Sequence, residues 1–376
     1  MKRRAVAAVA GASKAPRVGS VPLLALASAT ASPLLALEGN LVEATFVRRP
    51  SARNKSPYVG DVRLADGREV IAHMPSMDMG GKLMPGVRVL VRTATDKAGK
   101  PVGSDATGKF GTPKCEFIMM LLRCEEPENE STNGCWVGAH PSIGEKVADA
   151  LVRSGRLDLG GESITHVQRE VTAIAGTDMR CDFLVTHADG AKTAMEVKTV
   201  VDTDYDPALR ARPAGDGDSD DGKSGTNTTP RKGKGKAAKA KEPVCFLGDP
   251  ERTGGRYSRS GIFPWGRSAQ LGPDGEKVVS ARAIKHVREL TAIAKGERTE
   301  ADGAPLHAAV LFVVVRSDAE RFRPNAEACP SFARYIREAR AAGVRVLAHR
   351  ISWGDRGEDL GRVFHDGPLE CDLDWE

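Results

Sequence analysis

The chain has 376 residues, 55 Lys and Arg against 50 Asp and Glu, a net charge of +5, and 40% hydrophobic but 5% aromatic residues. That length suits two domains of roughly 100–200 residues each. Dense apolar segments exclude general disorder. The longest unbroken apolar run, 308–315, falls short of the ~20 residues of a spanning helix, so no membrane association is expected.

The seven cysteines include no Cys-x-x-Cys pair, which argues against a zinc knuckle and a secreted disulfide framework. The first acidic residue is Glu38, and Lys2, Arg3, Arg4, Lys14 and Arg17 precede it among Ala, Ser and Val. An acid-free, basic, Ser-bearing start has the character of an organelle transit peptide. Residues 1–37 are therefore expected to be a disordered leader to a plastid or mitochondrion, with cytoplasm or nucleus as the alternative. A secretory signal is the rival reading, but Pro22 and Pro33 interrupt its short apolar stretch. Without the five leader cations the body carries 50 basic and 50 acidic residues and is neutral.

Residues 38–123 read as a small OB-like β-barrel. Short apolar runs at 60–64 and 69–73 flank Ala65-Asp66-Gly67-Arg68, a hairpin signature. Runs at 87–93 and 117–122 follow Pro-containing turns, and no amphipathic helix intervenes. Arg48, Arg49, Arg53, Lys55 and Arg63 supply positive charge, and Phe46, Tyr58 and Phe110 are the aromatics that could stack on bases.

From 136 to 352 helix and strand patterns alternate, as in a three-layer α/β domain with a mixed sheet. Ser142 is expected to cap a helix closed by Ser154-Gly155. Strand-like segments follow at 164–171, 182–187 and 193–201. An insert at about 202–242, acidic and then lysine-rich with few large apolar residues, is expected to be disordered. Ser280 opens a helix with Ile284, Val287, Leu290 and Ala294 on one face and Gly296 as its stop. Residues 306–316, unbroken apolar from 308 to 315, are expected as a strand buried on both faces. A helix at 331–342 and a last strand at 344–351 precede an acidic tail, 353–376.

Chemistry concentrates in the second and third strands. Glu196-Val197-Lys198 sets Glu and Lys on one face of a strand, because side chains alternate with period two. A two-residue Asp189-Gly190 turn would put Asp182 on the wrong face. A three-residue loop, Ala188-Asp189-Gly190 with Gly190 left-handed, pairs His187 with Ala191 and sets Asp182 across from Glu196. The three-residue loop is the expectation. Two such carboxylates beside a lysine suit Mg²⁺ (or Mn²⁺)-assisted phosphodiester hydrolysis, with Lys198 orienting water.

Together the segments resemble the sugar fermentation stimulation protein A (SfsA) family, from about residue 37 to residue 351. The resemblance is carried by "LEGNLVEATFVRRPSARNKSPYVGDVRLADGREVIAHMPS", "REVTAIAGTDMRCDFLV", "AMEVKTVV", "GIFPWG" and "SARAIKHVREL". It implies an OB-like domain followed by a restriction-endonuclease-like, PD-(D/E)XK nuclease-like domain. It further implies a nuclease-like core of Asp182, Glu196 and Lys198, with Glu170 as a further metal ligand. A basic helix face of Arg282, Lys285 and His286 would lie near the scissile phosphate, with Arg48 and Arg53 adding nucleic-acid contacts from the barrel. The partner implied is nucleic acid, DNA first. A non-catalytic DNA-binding regulator of sugar metabolism genes and an RNA-processing nuclease are the alternatives. The sequence departs from the family at Ser76-Met77-Asp78-Met79-Gly80, where Asp78 adds repulsion, and at Trp265-Gly266, where a carboxylate is lost.

Overall fold

A computed structural model describes residues 32–76, 79–124, 134–172, 174–177, 179–210, 246–266, 269–300 and 302–375. The expected leader therefore lies outside the described residues up to 31, and the insert does so from 211 to 245. Their inner boundaries differ from expectation. Leu35–Ala36 (β1) pairs antiparallel with a strand near the C-terminus, and Leu37 is buried in the core. These apolar side chains belong to the fold because their partners come from the far end of the chain. At the other boundary, 202–210 hold a short strand and a helical turn rather than disorder.

The barrel is built as expected. Leu41–Arg48 (β2), Val59–Leu64 (β3), Glu69–His73 (β4), Arg88–Thr93 (β5) and Phe117–Cys124 (β6) run in the order β4-β3-β2-β5-β6. Parallel pairing of Ala72 with Phe117 and of His73 with Ile118 closes it. Gly67, at φ 87°, makes the hairpin turn that a Cβ would oppose. Val62, Val70, Ala72, Met74, Val89, Val91, Met119 and Leu122 fill the interior. Phe46 is one of these core residues, so it is no stacking platform, whereas Tyr58 and Phe110 are exposed. Cys135–Gly138 (β7) adds to β6, which extends the barrel sheet past the expected boundary at 123.

Leu90, Met120 and Leu121 point away from the barrel interior and join a second core with Trp136 and the α/β region. A register shift between Leu90 and Val91 accompanies this change of sides.

Ser142–Arg153 (α1) follows. Pro141 rather than Ser142 occupies its N-cap position, and the Ser142 hydroxyl turns to His140 Nδ1 at 2.8 Å. Ile164–Thr172 (β8), Arg180–His187 (β9) and Lys192–Val200 (β10) then form an antiparallel meander. Asp202–Thr203 (β11), Pro207–Arg210 (α2), Ser260–Phe263 (β12), Gln270–Leu271 (β13) and Lys277–Val278 (β14) lead to Ala281–Ala294 (α3). The Ser280 hydroxyl caps α3 by accepting the Ala283 N–H at 3.2 Å.

Leu306–Val314 (β15), Arg321–Pro324 (β16), Pro330–Ala341 (α4) and Arg345–Trp353 (β17) complete the expected elements. β17 is not the last strand. Arg362–Pro368 (β18) and Glu370–Cys371 (β19) occupy the expected tail, and Leu373 and Trp375 beyond them are buried. The acidic residues there alternate with Val363, Leu373 and Trp375, which supply the burial that a solvated tail would lack.

The main sheet has the order β1-β18-β17-β15-β10-β9-β8, with β17, β15 and β10 parallel and antiparallel strands at the flanks. Val310–Val314 are buried to the last atom, as a strand covered on both faces requires. The core containing α1 lies on one face, with Met195, Val197, Leu311 and Val313. The core containing α3 and α4 lies on the other, with Ala194, Val310, Phe312 and Ala348. Among the described residues no helix is long and apolar enough to cross a membrane.

Candidate metal and phosphodiester site

The β9–β10 turn is the three-residue loop. The Gly190 N–H donates to His187 O at 3.0 Å, the His187 N–H donates to Ala191 O at 2.8 Å, and Gly190 has φ 82°. The ladder runs from Lys192 paired with Thr186 to Met195 paired with Phe183, so the next position sets Asp182 opposite Glu196. There the regular pairing stops. Asp182 Oδ2 accepts the Val197 N–H at 2.7 Å, in place of a backbone carbonyl. The Cys181 thiol lies 3.0 Å from Phe183 O and 3.1 Å from Met195 O. Side chains thus take over the hydrogen bonds where the regular pairing stops.

Glu196 is 2% exposed. Its Oε1 is shared by the Lys198 ammonium and by His286 Nδ1, the latter at 2.5 Å. Its Oε2 is buried and has no hydrogen-bond partner. Burial raises the Glu196 pKa, but the His286 hydrogen bond and the Lys198 charge outweigh it and hold the carboxyl below its ordinary value. Asp182 goes the other way. Burial first, and the Glu196 charge second, push it up to about 6, against the Val197 N–H and Lys198. The two acids are therefore unequal: one is held ionised and the other titrates close to neutrality.

His286 reaches this site because α3 turns it inward. It lies on the apolar stripe with Ala283, Val287 and Leu290, and is buried. It is a partner of Glu196 rather than a member of the exposed basic face expected for it. Helical periodicity carried that signal, since 283, 286, 287 and 290 share one side. Arg282 and Lys285 do stand on the exposed side, and both line a groove of about 1030 Å³ along α3.

Glu170 does not join the pair. Arg169 pairs with Phe183 and Val171 with Cys181, so Glu170 lies across from Asp182, but its φ of 52° breaks the strand geometry there. Its carboxylate is exposed and ion-paired with Arg180. An acid that the sequence reading did not single out is Glu145, in the first turn of α1. Its charge helps to raise Asp182, and it lies 3.5 Å from Arg169. The barrel cations are already engaged: Arg48 lies 2.7 Å from Asp61 and Arg53 2.9 Å from Glu116.

Two carboxylates on adjacent strands, one with a buried oxygen lacking a partner, form a donor set that fits a hard divalent cation. Among the described residues no group of three His, Cys, Asp or Glu converges. Such a cation would draw its remaining ligands from water and substrate, as Mg²⁺ commonly does.

Comparison with known proteins agrees with the fold. A family model described as the sugar fermentation stimulation protein RE domain matches residues 273–357, the stretch from before α3 to after β17. A sugar fermentation stimulation protein homolog of Symbiobacterium thermophilum is 27% identical over 323 residues, covering 85% of this chain and 92% of that protein. Another, from Ruegeria sp., is 24% identical over 325 residues, covering 86% and 97%. The solved structure of Pyrococcus furiosus SfsA in complex with Ca²⁺ superposes with a TM-score of 0.54 at 16% identity, covering 91% of this chain and all of that one. The chain is similar to sugar fermentation stimulation proteins along most of its length.

Proposed function

From that similarity, we propose that this protein binds nucleic acid, DNA foremost, and hydrolyses phosphodiester bonds with the help of Mg²⁺ or Mn²⁺. The observation that carries the reading is the Glu196 carboxylate, buried with one oxygen unpartnered and standing across from Asp182 beside Lys198. That the Pyrococcus furiosus protein was solved in complex with Ca²⁺ supports a divalent cation here.

Asp182 and Glu196 hold the cation, which when bound supplies Lewis-acid polarisation of the phosphate. Glu196 is the permanent anion of the pair, kept ionised by His286 and Lys198. Asp182 must lose its proton to become a ligand, so binding strengthens as pH rises through about 6. Lys198, beside Glu196, would hold the attacking water or steady the phosphate oxygens. His286 stays beneath Glu196 and fixes its rotamer. The N-terminal leader, expected over 1–37, supplies an organelle address in this reading, tested by fusing residues 1–40 to a fluorescent protein and imaging it.

The test is incubation of the full chain with single- and double-stranded DNA and RNA in Mg²⁺ or Mn²⁺, beside Lys198→Ala. Cleavage by the wild type alone is expected. If neither protein cuts any substrate while both bind equally, the hydrolytic reading is wrong.

A further inference from the structure

The exposed side of α3 holds more positive charge than the motif residues account for. Arg282, Lys285, Arg288 and Lys295 recur at three- and seven-residue steps, so they share one side of the helix. From Arg282 to Lys295 the stripe runs about 20 Å at 1.5 Å per residue. Arg180 and Arg298 flank it, and the groove it lines holds six cations against three carboxylates, Glu289, Glu297 and Glu338. Arg298 lies 3.4 Å from Glu289, and Arg180 is paired with Glu170. In contrast, the side chains of Arg282 and Lys295 make no ion pair or hydrogen bond with any described residue. The Arg288 guanidinium carbon lies 5.5 Å from the Tyr335 ring centroid, and the residue is exposed. His286 lines the same groove and touches Glu196 beneath it, so the groove adjoins the carboxylate site through that side chain.

We infer that α3 is a phosphate track: the phosphodiester backbone of a nucleic acid runs along its outer face from the carboxylate site, with Arg282, Arg288 and Lys295 as contacts. The inference rests on the nucleic-acid reading above and moves the main electrostatic contact from the barrel to this helix. Three of the barrel cations that could have competed are neutralised locally. Arg48 pairs with Asp61, Arg53 with Glu116, and Arg63 with Glu69 at 2.8 Å. A line of cations along one helix side, adjoining the site proposed to hold a cation, suits a polymer with one negative charge per repeat. An acidic protein segment would find no reason to extend to the carboxylates.

The experiment measures binding of labelled 30-residue single-stranded DNA, duplex DNA and RNA to the full chain in Ca²⁺, across a salt series. The variants are the charge-neutralising triple R282Q/R288Q/K295Q and, as a barrel control, Arg63→Gln. Each lost phosphate contact lowers the slope of log K against log salt by about 0.9 for a duplex and about 0.7 for a single strand. The triple variant is expected to lose about two to three units of slope and at least tenfold in affinity at moderate salt, with Arg63→Gln unchanged. Whichever nucleic acid shows the larger loss is the one the track carries. Retained Ca²⁺ binding and circular dichroism exclude misfolding of the triple variant, and the single variant Lys295→Gln, at the helix end, provides a second measure of about one unit. A wild-type slope in the triple variant, or equal competition by polyglutamate, would overturn the inference. The hydrolytic reading fails separately, through Lys198→Ala and the cleavage assay.

Discussion

His286 Nδ1 lies 2.5 Å from Glu196 Oε1, although 90 residues separate them in sequence, and the contact is buried on both sides. It ties α3 to the central strand β10 and orients the carboxylate so that Oε2 is left without a partner. Under the proposed function Glu196 is a metal ligand, and removing the outer partner of a metal ligand commonly costs 10–100-fold in affinity. His286→Ala should therefore weaken Mn²⁺ binding by about tenfold or more in calorimetry. His286→Asn, which keeps a hydrogen-bonding group near the same place, should recover part of the loss.

Asp182 makes stability depend on pH with a definite sign. Its carboxyl is raised to about 6 in the folded chain, above its ordinary value of 3.8. The folded state thus holds the proton more tightly than the unfolded one. The benefit is full below pH 4 and is lost as pH rises through 6. A shift of about two units corresponds to about 2–3 kcal/mol. Asp182→Asn should then raise the melting temperature of the metal-free protein at pH 7.5 and leave it nearly unchanged at pH 4. Divalent cation should stabilise the wild type at pH 7.5 and have little effect on the variant.

Arg323 and Asp204 form a fully buried ion pair at 3.0 Å, supported by Glu327 at 2.9 Å and by the Trp375 ring centroid 3.9 Å from the guanidinium. Removing one member strands the other charge, which typically costs 3–5 kcal/mol. Arg323→Ala should show a loss of about that size in urea unfolding. Arg323→Met, with Asp204→Asn in the same chain, should recover most of it, because neither charge remains to be solvated.

Gly190 is in the left-handed region at φ 82°, and the loop it closes holds the register that brings Asp182 and Glu196 together. Gly190→Val should cost about 1–2 kcal/mol in stability. It should also weaken cation binding, because strain there loosens the pairing of β9 with β10. Gly190→Asn, a residue that tolerates this conformation, should do neither to the same extent.

The barrel and most of the α/β elements were legible because local signals agreed with one another. Asp66-Gly67 marked a hairpin, Ser280 a cap, and the apolar run of β15 a doubly covered strand. The Ala188-Asp189-Gly190 loop could be chosen because Gly at its third position favours a type I turn with a bulge. What stayed hidden depended on distant partners. β1 is two residues long and exists through its pairing with β18. β18 contains Gly367 and Pro368, which locally resemble a turn. His286 sits between Lys285 and Arg288 and so reads as part of a basic face, although its angular position is that of Ala283 and Val287. Glu170 satisfied the register but not the backbone, and no local pattern announces a left-handed glutamate in a strand.

The pairing of Leu35 with Val363 and of Ala36 with Arg362 joins positions more than 320 residues apart. The edge of the main sheet that β1 covers cannot be finished until almost the whole chain has been synthesised. Until then β1 lacks its partner and offers unpaired backbone groups to any other extended strand. The hazard is one of timing: the interval between translation of β1 and arrival of β18 is when a nascent chain most needs a chaperone.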